Sequence, residues 1–342
     1  MPASRVPADW PQLDDERLLE LRMADLPLRI EGTALEARIA KLMSELDARD
    51  LRLPIHYYIS TEWFTPEGST SMAVPFYLVH PRLERLEKAQ MLEVEGGDPA
   101  WCMRILRHEA GHLIDNAYKL RLKRRRRELF GPSSIDYPEF YDPKPYSKSF
   151  VLHLDPWYAQ AHPDEDFAET FAVWLTPESD WRRRYEGWPA LAKLEYMDEL
   201  MRELAGRPPR VVDTSEVEPL RRMRRSLRHH YRQKRKHFGV EHPKFYDRDL
   251  RRLFSDAEQF AQNVTAAQFI ERMRKPSRRV VASWTGIYQY TVDRVIEDMI
   301  ERSRELGLRL AVPEEQARHE FTVLLTVQTM NYLHSGRHRV AL

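Results

Sequence analysis

The stretch RHEAGHLID, residues 107–115, constrains this chain more than any other. It places His108 and His112 four apart with Glu109 between them. On a helix, residues four apart share a face about one turn apart. The two imidazoles can then reach one ion, and Glu109 sits where it can take a proton from a water on that ion. The alternative is an ordinary helix with two surface or capped histidines. A metal site needs further ligands downstream; an ordinary helix needs nothing, so the rest of the chain can discriminate.

The flanking sequence supports the helix. Asp98 is a plausible N-cap and Pro99 stands at the first helical position. Ile105, Leu106, Leu113, Ile114 and Ala117 supply the apolar positions, and the helix is expected to run on into RLKRRRRELF. Upstream, residues 12–50 read as helical. LPIHYYIS and SMAVPFYLVH read as strands of a small sheet, separated by TEWFTPEGST, a turn or short loop marked by Pro66 and Gly68. Downstream, GPSSIDYPEFYDPKPYSKS is a long irregular connection, and such loops are usually functional or mobile. PDEDFAETFAVWL and WPALAKLEYMDELMREL follow as helices, the first largely buried.

AGRPPRVVDTSEVEP reads as a linker. Beyond it the chain is helical, as in TGIYQYTVDRVIEDMIERSREL and EEQARHEFTVLLTVQTMNYLH. The expected organisation is an α+β domain over residues 1–206 and an all-helical extension over 207–342, in keeping with a length of 342 residues.

Composition narrows the class. The single cysteine, Cys102, excludes an internal disulfide framework and a cysteine-rich zinc finger. It lies nearly two turns before His108 and reads as a small core residue. No signal-like apolar core opens the chain, and no window approaches a membrane span, so a soluble cytoplasmic protein without membrane partners is expected. Lys and Arg total 54 against 53 Asp and Glu, so attraction to nucleic acid must rest on local patches. Two exist. RLKRRRR at 121–127 has six basic residues in seven, and RRMRRSLRHHYRQKRKH at 221–237 has nine Lys or Arg and no acid. Solvated helix faces paired with acids are the favoured reading, because aromatic support for base stacking is thin.

HExxH is the arrangement found in zinc hydrolases. A catalytic zinc takes three protein ligands and keeps a position open for water. HPDEDFAETFAVWL offers the missing ligand: Glu165 and Glu169 lie one turn apart on the same helical face. One can bind the metal while the other orients a ligand histidine. The competing reading is that these acids only favour a helix N-terminus. RHEFTV near residue 319 repeats the His-Glu start, but Val323 stands where a second histidine is needed. His153 and His162 lie near the proposed site and read first as loop histidines.

HEAGHLID followed by EDFAETF resembles the gluzincin metallopeptidases, and within them the lethal-factor-type catalytic domain and related bacterial zinc metallopeptidases. That family has HExGH followed by Asp, matched by Gly111 and Asp115, and a Glu-x-Phe-Ala-Glu run, matched by Glu165, Phe167, Ala168 and Glu169. The resemblance implies a zincin-like fold with His108, His112 and Glu165 holding one zinc. It makes Glu169 an outer residue that braces a ligand. It also places a tyrosine seven residues before the glutamate ligand, near the developing oxyanion, and Tyr158 stands there. The spacing of 53 residues from His112 to Glu165 is longer than in that family, which points to an insertion in the irregular loop. The resemblance covers residues 101 to about 175 only.

The mechanism so implied uses Glu109 as general base and Tyr158 as hydrogen-bond donor to the oxyanion. Asp115 either braces the metal ligands or is an ordinary solvated acid. STSMAVPFYLVH is the candidate edge strand for an extended protein or peptide substrate, with an internal strand as the alternative. Two rival functions remain at this level. One is a catalytically silent zincin-fold protein that binds a partner. The other is a nucleic-acid-associated protease that uses the basic helices.

Overall fold

A computed structural model describes residues 6–138, 141, 144, 147–154, 157–238 and 246–334. The chain divides into two compact units. The first holds the residues up to Gln90 and Val94–Tyr231; the second holds Met91–Glu93 and the residues from Arg232 on.

In the first unit, α1 (Asp15–Leu19) and α2 (Ala34–Asp47) precede two short strands, β1 (His56–Ser60) and β2 (Ser71–Pro75). Only these two stretches of the region 12–50 are α-helical; shorter turns and irregular chain fill the rest. Helices α3 (Pro81–Met91), α4 (Pro99–Tyr118), α5 (Arg124–Phe130), α6 (Pro163–Leu175), α7 (Trp181–Arg184) and α8 (Ala190–Leu204) follow, and α9 (Leu227–Phe238) begins in this unit and runs on past its boundary at Tyr231. The core forms where α4 packs on α6, with α2 against α4 and α8 against α6.

The strands β1 and β2 pair in parallel, His56 with Ser71 through Ser60 with Pro75. The connecting segment does more than turn. Phe64 forms an antiparallel bridge to Ala73, whose amide donates to the Phe64 carbonyl at 2.9 Å. On its other side β2 carries that single bridge and is buried throughout, which favours the internal-strand reading of STSMAVPFYLVH over the free edge. Pro75 ends the strand, and Phe76–Val79 form a 3-10 turn instead of continuing it. The segment around Phe64 that makes this bridge reads from sequence as loop.

Helix α4 starts as its cap predicts. The Asp98 carboxylate accepts from the amides of Ala100 and Trp101, with Pro99 in the first turn. It does not continue into the basic run. Lys119 adopts the left-handed conformation at φ 53°, and its amide returns to the carbonyls of Asn116 and Asp115. The Asp115 carboxylate then accepts from the Arg121 amide at 2.8 Å, which fixes the turn into α5.

The linker-like residues after α8 pack on the first unit. Arg210 and Val211 donate to the Ala117 carbonyl, Thr70 donates to the Asp213 carbonyl, and the hydroxyls of Tyr58 and Ser60 reach the carbonyls of Val217 and Glu218. A Pro- and Gly-rich stretch thus lies along β1, with its backbone groups satisfied by neighbours as buried groups must be. Further on, His230 and Tyr231 pack against the Phe76 ring.

The second unit contains α10 (Asp247–Leu250), β3 (Phe254–Ser255), α11 (Ala266–Thr285), α12 (Gln289–Glu305), β4 (Arg309–Leu310) and α13 (Glu314–His334). α11 packs on α12 and α13, around Phe254, Phe269, Ile296, Met299 and Phe321. β3 and β4 pair antiparallel. Among the described residues no helix is long and apolar enough to cross a membrane.

Candidate metal centre

Helix α6 carries four buried acids, Asp164, Glu165, Asp166 and Glu169, among Thr170 and apolar side chains. Carboxylates favour the first turn of a helix, where the dipole is positive. Burial still demands a partner for each. Asp164 meets Arg126 and Ser133. Asp166 accepts from Lys193 Nζ at 2.6 Å. Glu165 and Glu169 turn toward α4. The helix itself is started by His162, whose Nδ1 accepts from the Asp164 amide while its Nε2 donates to the Ile135 carbonyl. His162 is therefore a helix cap.

His108 and His112 project from α4 toward Glu165. The Glu165 Oε2 atom lies 3.0 Å from His108 Nε2 and 3.2 Å from His112 Nε2, and the two nitrogens lie 3.1 Å apart. Four tetrahedral ligands about 2.0 Å from one zinc ion stand roughly 3.3 Å from each other, so these three atoms already have the spacing of a ligand set. Two imidazoles and one carboxylate are also the donor types a catalytic zinc takes. The residues present fit the ion.

The surrounding groups aim these ligands. His108 Nδ1 donates to Glu169 Oε1 at 2.8 Å, which leaves Nε2 facing Glu165. The other Glu169 oxygen accepts from the Leu154 amide at 2.7 Å. His153, adjacent to that amide, donates Nε2–H to the Arg104 carbonyl at 2.9 Å and so ties the loop to α4.

Electrostatics follow the packing. Burial alone would lower both histidines, but hydrogen bonds and charge from Glu165, joined at His108 by Glu169, outweigh it. His108 is held well above its ordinary value and His112 is raised. Burial would raise Glu165, yet the two imidazoles hold it well below the usual carboxylate range. Such a cluster trades protons for a cation.

Glu109 is buried beside this cluster. Its Oε2 accepts from the Thr65 hydroxyl at 2.8 Å. The Tyr158 ring lies 5.5 Å from the His108 ring. Burial, then the charges of Glu165 and Glu109, hold its phenol well above the ordinary value, so it stays a donor. Asp115 is elsewhere. It is buried, and its oxygens go to the Arg121 amide and to Arg126, so it anchors the end of α4.

Three contributors were not legible in advance. Thr65 sits 44 residues from Glu109 in a segment that reads as loop. Tyr137 donates its hydroxyl to Glu165 Oε1 at 2.8 Å from the long irregular connection. Arg126 lies inside the basic run yet is fully buried. The one available signal for Arg126 was Phe130, one turn later on the same face.

Several of the other basic residues are paired with acids. Arg121 meets Glu67, Lys123 meets Glu203, Arg125 meets Glu199, Arg221 meets Glu216, and Arg228 meets Glu16 and Glu20. Cys102 is buried.

Residues 103–179 match the family described as putative zinc-binding metallo-peptidase. That segment contains His108, Glu109, His112, Tyr158, Glu165 and Glu169. No curated protein and no solved structure matches the chain.

Proposed function

We propose that the protein is a zinc-dependent metallopeptidase of the gluzincin type. The catalytic machinery is a zincin-like α+β domain, and the helical C-terminal extension is a separate element. The observation that carries the reading is the convergence of His108 Nε2, His112 Nε2 and Glu165 Oε2, 3.0–3.2 Å apart, beside a buried Glu109. The family match over residues 103–179 supports it independently of that geometry.

His108, His112 and Glu165 would hold one zinc per chain. When bound, the ion supplies an acidified water and a Lewis acid for the scissile carbonyl. The remaining work falls to the protein. Glu109 accepts the proton of the attacking water and passes it to the leaving amine. Thr65 holds Glu109 in place. The Tyr158 phenol, kept protonated, donates to the oxyanion. Glu169 fixes the His108 tautomer, and the Leu154 amide fixes Glu169. The substrate class is protein or peptide.

The direct test is zinc content per chain, compared across wild type, His112→Ala, Glu165→Ala and Glu169→Ala. The expected result is about one zinc in wild type, loss in the two ligand variants, and an affinity weakened roughly 10- to 100-fold in Glu169→Ala. A peptide library then follows, with Glu109→Gln as the inactive, metal-loaded control. Failure of wild type to take up zinc overturns the proposal. Cleavage by Glu109→Gln at the wild-type rate overturns the role given to Glu109.

A further inference from the structure

We propose that Tyr137 is a positioning residue that makes Glu165 a one-oxygen ligand. The inference rests on the reading of His108, His112 and Glu165 as the metal ligands. Glu165 has two oxygens and divides them between two jobs. Oε2 faces the two imidazole nitrogens, while Oε1 accepts from the Tyr137 hydroxyl at 2.8 Å. A carboxylate with its second oxygen so engaged does not swing both oxygens onto a cation. The fourth coordination position then stays open.

The phenol is placed for this by a rigid platform. The Tyr137 ring stacks on the His162 ring, with centroids 3.8 Å apart and planes 17° apart. His162 is locked at both nitrogens, one capping α6 and one bonded to the Ile135 carbonyl. Tyr137 is thus registered to the helix that bears Glu165, three residues from its cap. The residue is about half exposed (49%), so its packing contributes little to the core and its hydroxyl can be removed without opening one.

Hydrogen bonds to ligating carboxylates commonly change metal affinity by roughly 10- to 100-fold. The experiment measures affinity for zinc by chelator competition, and the visible spectrum of the cobalt-substituted protein, for wild type, Tyr137→Phe and Tyr137→Ala. The phenylalanine variant keeps the stacked ring and loses only the hydroxyl. Its zinc affinity is expected to fall by about tenfold or more. Its cobalt band is expected to weaken and shift to shorter wavelength as the second oxygen joins the ion. A role limited to packing would leave the phenylalanine variant like wild type in both readouts and perturb only the alanine variant; that result overturns the proposal while leaving the ligand set intact. Wild-type protein that binds neither ion overturns the ligand reading and this inference together. Thermal melting of the metal-free proteins separates loss of the hydroxyl from loss of the fold.

Discussion

A Cβ built on Gly111 would lie 2.6 Å from the Cα of Ala168 and 3.0 Å from its carbonyl oxygen. Real Cβ atoms do not come that close, so glycine is what lets α4 and α6 touch backbone to backbone at this point. Gly111 stands between His108 and His112, and Ala168 between Glu165 and Glu169. A close approach of the two helices therefore lies where the four side chains meet, and the helix separation there sets the distance across the cluster.

Gly111→Ala should consequently damage both fold and site. The added methyl faces backbone atoms, which cannot rotate away as a side-chain end could. Over-packing of this kind costs about 1–3 kcal/mol. Zinc affinity should fall as well, because α4 must move away from Glu165. Urea denaturation and chelator competition on the same variant check both parts. A variant with wild-type stability and zinc affinity would show that the helices can separate freely.

Arg126 joins the same two helices through charge. Its guanidinium reaches Asp115 on α4 at 2.9 Å and Asp164 on α6 at 2.5 Å, with no exposure to solvent. Arg126→Met would leave the two buried carboxylates with only Arg121, 3.9 Å from Asp164, as a nearby cation. Breaking a buried pair in this way typically costs about 3–5 kcal/mol. Arg126→Lys should recover only part of that, since a single ammonium does not reproduce the planar fork. Denaturant midpoints of the two variants test the order. Equal stability of Arg126→Met and wild type would mean that the carboxylates have other cations at hand.

How far the sequence reached is clear from individual residues. The pairing of His108 with His112 was legible because helical periodicity alone puts them on one face. Glu165 and Glu169 were legible as a pair for the same reason, although dividing their roles required a resemblance. Gly111 could be placed in a motif, but its purpose is a contact 57 positions away, with Ala168. Asp115 lies three residues after His112, and reach along the helix suggested a bond to it. The left-handed turn at Lys119 brings Arg121 and Arg126 back onto Asp115 instead. Charge runs mislead for a related reason. Five arginines and a lysine in seven residues read as solvated, yet the one beneath Phe130's face is core. Thr65 and Tyr137 had no sequence signal, because loop residues carry no periodicity from which a direction can be inferred.

Thr65 offers a test of the proposed base that leaves the proposed metal ligands alone. It contacts Glu109 and none of the three proposed ligands in the hydrogen bonds described above. Thr65→Val keeps the shape and removes the donor. Hydrogen bonds to charged groups are worth about 1.5–3 kcal/mol, so peptide turnover should drop by roughly tenfold or more in kcat. KM and zinc content should stay near wild type, and Thr65→Ser should restore most of the rate. A loss of zinc in Thr65→Val would instead make Thr65 a structural support of the whole site.

The titration of the cluster gives a prediction with opposite signs for the metal-free and zinc-loaded protein. His108 is held well above its ordinary value because Glu165 and Glu169 outweigh its burial. A raised histidine contributes stability that is full below the unfolded value of about 6.5 and is lost as pH rises through the folded value. Glu165 is held well below the carboxylate range, so its contribution is present above about 4.3 and disappears only in acid. Metal-free protein should therefore lose stability from neutral toward alkaline pH. Zinc needs the imidazoles neutral, so its uptake must release the proton on His108. Affinity should tighten by about tenfold per pH unit for each proton released, between roughly pH 6 and 8. Thermal melting with and without zinc across that range tests both trends: the metal-free Tm should fall with pH while the increment from zinc grows. A zinc affinity independent of pH would mean that His108 is already neutral before the ion arrives, contrary to its bonding to two carboxylates.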